Sequence, residues 1–406
     1  MRKYWKFTAI ITVIVLSLAT FYVNVALSKE QYPEFVMETK SGDVEEVKDL
    51  VLDASYSDRS SMSYRSPSVK ITSDGSDYNS YSFIDQIIGQ PPTGIKAFQE
   101  EYRNFMRGKV PSVSFFFEDN QFLAYADIEY EFGSQGASDF TFDISVLNKD
   151  NDDVNSFTVK VPKEEAMDHV FVEDVQMVGE ELNIITQNMM RDVNDYYDEK
   201  HIYTIDLANQ KISNHEAIME VATATENTHV EARLIGTSPT KANENLVILK
   251  TEFTRNEKIE PGNPEEMKKE IVSYNLATKE TEEISVPNLS LEENEISFFD
   301  GSTIYFTKTE EQELVVTPYH LNDKQLGQAF RVPLVNDTEF GHPPLVTVKD
   351  GKLYAAAMRM TAEVDAGVAV ADVKTGETLF EGQLALKDAP EEFENFELYV
   401  QELFVK

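Results

Sequence analysis

IYTIDLANQKI (residues 202–212), IVSYNLATKETEEI (271–284), VTPYHLNDKQ (316–325) and VAVADVKTGETLF (368–380) are variations on one phrase. Each has a β-branched or aromatic run, then an Asp, Asn or His backed by an apolar residue, a polar turn with Lys or Gly, and a second run. Apolar runs of this length, bounded by turn-forming residues, read as strand, turn and strand. FDISVLNKDN (142–151) is a weaker copy, and VMETKSGDVEEV (36–47) is a further one. Taking Glu38, Val146, Asp206, Asn275, His320 and Asp372 as equivalent points gives intervals of 108, 60, 69, 45 and 52, the first being two units of 54. Seven such units fill the 377 residues from position 30 onward, each large enough for a four-stranded sheet.

The phrases resemble the outer hairpin of a β-propeller blade, where Tyr/Val-x-x-Asp-Leu-x-Thr-Gly-Lys joins the two outermost strands. Val373-Lys374-Thr375-Gly376-Glu377 matches best; elsewhere Asn209, Thr278 and Asp323 replace the turn glycine or its neighbour, and only Asp206 and Asp372 keep the acid. The resemblance is to the quinoprotein-like and tryptophan-aspartate-like repeat architecture as a whole, with no single family within it. It implies an all-β propeller of about seven (six to eight) four-stranded blades over residues 30–406. A propeller hides its last sheet edge by pairing strands from both chain ends. Here the first copy has no inner strand before it, and the chain ends in an orphan strand, FELYVQELFV (396–405). Tandem β-sandwiches are the alternative, because short strands with frequent turns suit them equally.

Further strands are expected at Gln121–Tyr125, Phe140–Leu147, Phe157–Val161, Leu182–Thr186, Leu246–Lys250, Thr303–Thr307 and Lys352–Ala356. Two helices stand out. In Ile95–Arg107, residues Ile95, Phe98, Tyr102, Phe105 and Met106 recur at helical spacing, between Pro92 and Gly108. A short second one is expected from Pro264, with Asn263 as cap, Glu265 and Glu266 in the first turn and Lys268 and Lys269 in the last.

Ahead of all this, Phe7–Leu27 is a 21-residue run without a charge. That matches the roughly 20 residues a helix needs to cross a bilayer. Arg2, Lys3 and Lys6 precede it, which by the positive-inside rule places residues 1–29 as a short cytoplasmic tail and transmembrane helix, and residues 30–406 as an extracytoplasmic domain. Ala26-Leu27-Ser28 also fits a signal-peptide cleavage site, so a secreted product is the alternative. An exported chain without a disulfide fits a bacterial cell envelope.

The chain carries 72 acidic and 36 basic residues, a net charge of -36. Such a surface repels nucleic-acid phosphate. The complete lack of cysteine removes disulfides, thiol nucleophiles and Cys-ligated metals. The six histidines show no metal-ligand spacing, and no nucleophile elbow or phosphate-binding glycine loop is present. Two acid clusters, Asp150-Asn151-Asp152-Asp153 and Asp192, Asp195, Asp198 with Glu199, lack the EF-hand glycine and terminal Glu and read as inter-strand turns. No catalytic residue, cofactor or metal is therefore assigned.

The expected function is that of a membrane-anchored binding or accessory module acting on a membrane or cell-envelope protein. A cell-surface hydrolase or lyase on polysaccharide or peptide is the alternative. Tyr and Arg are enriched where binding energy concentrates. The candidate partner-binding residues are Tyr56, Arg59, Tyr64 and Arg65 in the Ser/Tyr-rich stretch, with Tyr102 and Arg103 on the amphipathic helix.

Overall fold

An Asp or Asn leading a turn has a specific role: its carboxyl or amide oxygen accepts the main-chain N–H groups two and three residues on. A computed structural model describes residues 10–17, 20, 32–58, 66–78, 91–133, 136–162, 167–191, 196–220, 228–236, 242–254, 266–336, 342–387 and 395–406. In it the Oδ1 of Asp206 accepts from Ala208 and Asn209, that of Asn275 from Ala277 and Thr278, and that of Asp372 from Lys374 and Thr375, all at 2.8–3.0 Å. The weaker copy does the same through Asn148, which accepts from Asp150, so its equivalent point is Asn148 and not Val146. Four residues after each leading position the backbone turns left-handed, at Asp152, Gln210, Lys279, Lys324 and Gly376. Gly376 is the copy that kept its glycine, and an added Cβ there would lie 2.5 Å from the Cβ of Phe330.

Each of these turns joins the third and fourth strands of an antiparallel sheet, and the described residues form six sheets. Three follow one another as plain meanders. They are β5 (Phe116–Glu118), β6 (Phe122–Gly133), β7 (Gly136–Asn148) and β8 (Asp153–Lys160); β9 (Met167–Val178), β10 (Glu181–Arg191), β11 (Tyr196–Asp206) and β12 (Lys211–Glu220); and β13 (Thr228–Leu234), β14 (Asn245–Thr254), β15 (Glu266–Asn275) and β16 (Thr281–Ile284). The fifth sheet holds β17 (Glu295–Phe299), β18 (Thr303–Glu310) and β19 (Glu313–His320), with β20 (Gln325–Leu326) and β21 (Phe330–Pro333) both on β19.

The first and sixth sheets are completed across the chain ends. β1 (Phe35–Gly42) is the outer strand of the sixth, after β22 (Leu345–Lys349), β23 (Lys352–Ala356), β25 (Ala366–Asp372) and β26 (Thr378–Leu386). In return β27 (Phe396–Val405) becomes the inner strand of the first sheet, beside β2 (Leu50–Asp58), β3 (Ser68–Thr72) and β4 (Gly75–Tyr78). The terminal strand therefore pairs as its orphan status required. VMETKSGDVEEV has another role: it is the outer strand of the last sheet followed by a 3-10 turn, not the hairpin of a separate unit. Removing that unit accounts for six sheets where seven units were counted.

Consecutive sheets share apolar seams. Phe142 and Ile144 meet Val175 and Tyr203; Ile185 and Ile202 meet Leu246 and Tyr274; Val247 and Ile271 meet Phe299 and Phe306; Val316 and Val332 meet Leu353 and Ala369. The sixth and first sheets share Phe380, Phe35, Tyr56, Phe396 and Leu398. Between the first and second sheets the helix Thr93–Glu101 acts as a wedge, with Ile95 and Phe98 on Phe116 and Leu123, and Thr93 Oγ1 donating to Asp53 at 2.6 Å. Six sheets joined in chain order, with the last sewn to the first, make a propeller-like all-β fold in place of tandem sandwiches.

Two local expectations change. The helix ends at Glu101, because Tyr102 leaves helical geometry, although Phe105 and Met106 remain buried beyond it. The second expected helix is strand at Glu266–Lys269: cross-strand pairing with β14 overrides the local charge pattern, with Lys268 opposite Glu252 and Lys250 bonded to Glu270 at 3.3 Å. Pro264 lies outside the described residues. At the N-terminus residues 10–17 are helical, and among the described residues no helix is long and apolar enough to cross a membrane. Apart from Thr20, the rest of the run at 7–27 lies outside the described residues.

Truncation before Phe396 removes the strand paired to β2 and the Phe396 ring packed on Phe35 and Tyr56. The truncated chain is expected to lose cooperative unfolding and to aggregate, read by calorimetry and light scattering. A monomeric product with an unchanged transition would count against closure as the main constraint.

Candidate functional site

Strand β9, the innermost of the third sheet, carries an unusual load of polar residues: Asp168, His169, Glu173, Asp174 and Gln176. Its ladder with β10 slips twice, so Asp168 and Glu173 are left unpaired at bulges, a device that re-aims side chains. A cation of the same sheet takes each carboxylate: Arg191 bonds Asp168 at one end, and Lys200 bonds Glu173 further in.

The outer end of β9 meets the projecting β6–β7 hairpin of the second sheet. Phe132, Tyr130, His169 and Phe171 form a continuous row of rings there, with successive centroids 6.4, 5.9 and 5.8 Å apart. Phe132 is 75% exposed, and Tyr130 and Phe171 are each 49% exposed. The row is braced from below by Phe140, whose ring lies 5.9 Å from Tyr130 and is fully buried. The Asp168–Arg191 pair braces it from the side, packed on Gly136 at the hairpin's start. Gly136 has φ +113°, and a Cβ would sit 3.0 Å from the Arg191 guanidinium. Glu129 and Glu131 alternate with the two exposed rings along β6 and are themselves exposed. His169 Nδ1 is buried without a hydrogen-bond partner among the described residues.

Deeper along β9 lies a closed polar network. Lys200 is 1% exposed and donates to Glu173 and to Gln187 Oε1 at 2.9 Å, while Gln187 donates to Asp198 at 2.8 Å. Glu173 Oε2 has no hydrogen-bond partner among the described residues. Its neighbour Asp174 accepts from the Gln176 amide and the Val175 N–H, but burial pushes its carboxyl up to about 7, with the Glu173 charge adding to the rise. In the seam with the second sheet, Glu199 bonds His201 at 2.7 Å and His201 meets His215 at 2.8 Å. The His215 ring stacks on Tyr203 at 4.2 Å, and burial pushes the Tyr203 phenol up to about 12. Among the described residues no set of three or more such side chains is placed to hold a metal ion.

Of the residues expected to bind a partner, the described ones, Tyr56, Tyr102 and Arg103, do not lie at this site. Tyr56 is 3% exposed, ringed by Tyr32, Phe35, Tyr78 and Phe396, because its strand is the second of the closing sheet and its side chain faces the sixth. It is a core residue and not an accessible one. Arg59, Tyr64 and Arg65 lie outside the described residues. Tyr102 bonds Glu118 at 3.4 Å with Lys149 over its ring, at the end of the second sheet opposite the Tyr130 hairpin, and burial pushes its phenol up. Arg103 beside it is exposed. Of the two acid clusters, Asn151 donates to Asp153 in its turn, Asp198 and Glu199 belong to the network above, and Asp192 and Asp195 lie outside the described residues.

No family model matches the chain, and no curated protein matches it. Solved structures that align with it include a Synechocystis apocarotenoid oxygenase variant (8% identity, 88% of this chain and 96% of that one, TM-score 0.42) and TolB from Acinetobacter baumannii (11%, 85% and 65%, 0.32). A prolyl endopeptidase aligns at 11% over 95% of this chain and 55% of that one, TM-score 0.31. Against other oxygenase structures the chain spans 58% to 62% of their length. At such scores the strand order itself defines the fold.

Asp174 makes stability depend on pH in a defined direction. The unfolded chain releases this proton near pH 4, whereas the folded state keeps it to about 7. Between those values the folded state binds more protons, so stability falls as pH rises, by at most about 1.4 kcal/mol per unit. Asp174→Asn should match wild type in urea unfolding at pH 4 and exceed it increasingly up to pH 7, then hold constant; parallel curves would refute the assignment. Gly136→Ala should destabilise by on the order of 1 kcal/mol or more, since both the φ and the ion pair oppose a methyl group there.

Proposed function

We propose that the chain is a membrane-anchored extracytoplasmic binding or accessory module that acts on a membrane or cell-envelope protein. The observation that carries this reading is the row of exposed rings, Phe132, Tyr130 and Phe171, fixed on paired strands at the junction of two sheets. Rigid aromatics presented on strands provide contact area at small entropic loss, as binding surfaces require.

Supporting the anchor is the uncharged run at 7–27 together with the character of residues 10–17. Ile10, Ile11, Val13, Ile14, Val15 and Leu16 are all 49–63% exposed, so this helical stretch is apolar on every side. A helix of that kind finds its matching solvent in lipid. The basic residues before it favour an outward-facing body.

The competing reading, a cell-surface hydrolase or lyase, draws on two adjacent carboxyls, Glu173 ion-paired to Lys200 and Asp174 pushed up to about 7 by burial. Weighing against it, four inner-strand acids, Glu118, Glu173, Glu295 and Glu397, are each held by a Lys or Arg. The short strand β24 (Arg359–Thr361) also pairs with the free inner edge of β27, its Arg359 buried against Glu397 at 2.6 Å, so chain from the sixth sheet fills space on the axial side of the first.

A photoreactive residue at Phe132 should trap a specific envelope or membrane protein in intact cells, and one at Asp323, exposed on the fifth sheet, should not. Alkaline phosphatase fused after Lys406 should be active. Equal trapping at both positions, an inactive fusion, or a hydrolytic activity abolished by Asp174→Asn would each overturn the reading.

A further inference from the structure

We infer that the ring row at the junction of the second and third sheets recognises an extended, Lys- or Arg-bearing segment of the partner protein; this rests on the binding reading above. Three features define the occupant. The ring-to-ring steps of 5.8–6.4 Å approach the spacing of alternate residues on an extended chain, about 6.7 Å, so consecutive same-side side chains of such a segment meet consecutive rings. Aromatic faces attract ammonium and guanidinium groups within about 6 Å. The flanking charge has the complementary sign: Glu129, Glu131 and Asp139 are exposed, and the adjacent cations Arg191 and Lys160 are paired with Asp168 and Asp139. The chain's net charge of -36 adds attraction for a basic segment and repels phosphate or an anionic glycan.

Because any basic peptide is drawn weakly to an acidic protein, the decisive substitution removes the ring and keeps the charge. Full-length chain in nanodiscs would be titrated, at physiological salt, with a labelled ten-residue peptide of alternating Arg and Ser, its Glu/Ser counterpart, and a neutral oligosaccharide. The Arg peptide should bind and the other two should not. Phe132→Leu and Phe171→Leu should each weaken it about two- to fivefold, within the range expected for one exposed cation–ring contact, while Phe132→Tyr leaves it unchanged. Binding unaffected by either Leu variant would mean charge attraction alone and would overturn the inference, as would preference for the oligosaccharide. If Phe132 still traps an envelope protein in cells while the Arg peptide fails to bind, the partner chemistry is wrong and the binding reading stands. If neither occurs, both fail.

Discussion

Two strand exchanges at the chain ends hold the fold. A series of four-stranded sheets in a row has an open edge and an unshared apolar face at each end, and both invite aggregation. Here β1 covers the outer edge of the sixth sheet while β27 supplies the inner strand of the first, so the same stitch pairs edges and closes the seam of Phe35, Tyr56, Phe380 and Phe396. Reinforcement runs along its length: Lys387 Nζ bonds Glu34, and Lys352 bonds Glu46. These contacts join positions more than 300 residues apart, so their loop-closure entropy is the largest in the molecule, and hairpin formation within each sheet should precede them.

Much of this order could be read in advance because it depends on local turn chemistry. Asp206, Asn275 and Asp372 announce their hairpins through side-chain oxygens that bond the next backbone amides, an interaction independent of distant structure. The orphan C-terminal strand was legible for a similar reason: an apolar run with no partner beside it needs one elsewhere. The unit count was not legible, since Glu38 looks like another leading acid until its strand is seen to belong to the last sheet. The hairpin of the first sheet, Thr72-Ser73-Asp74-Gly75, carries its acid two residues later in the turn and escaped the pattern. At Glu266–Lys269 a good helical charge pattern yields to four consecutive cross-strand partners on β14, part of a ladder of ten.

The exposed ring row was hidden for a different reason. Ile128-Glu129-Tyr130-Glu131-Phe132 alternates as a half-buried strand does, and alternation alone predicts that its rings face a core. They do not, because the hairpin runs past the inner strand β5, which pairs with β6 only as far as Tyr125 and leaves the distal rings without a neighbouring layer. Tyr56 shows the converse. Its Ser- and Arg-rich surroundings read as surface, yet its own strand is paired on both edges, to β27 and to β3, and its ring faces the sixth sheet. Composition of a segment therefore misled wherever strand length or position in the sheet, set by distant partners, decided exposure.

The third sheet joins the aromatic surface to the polar interior through one feature, the pair of bulges in β9. Each bulge leaves an acidic residue out of the ladder and re-aims its carboxylate toward a cation, and in the interior that cation matters most, because a buried unpaired charge is strongly destabilising. Arg191 meets the first need at the rim, where it also locks the two hairpins together over Gly136. Lys200 meets the second in the interior, while burial, with the Glu173 charge adding to it, raises the neighbouring Asp174 carboxyl to about 7. Both ion pairs of β9 thus sit at the same kind of backbone irregularity, a residue skipped in the ladder with β10.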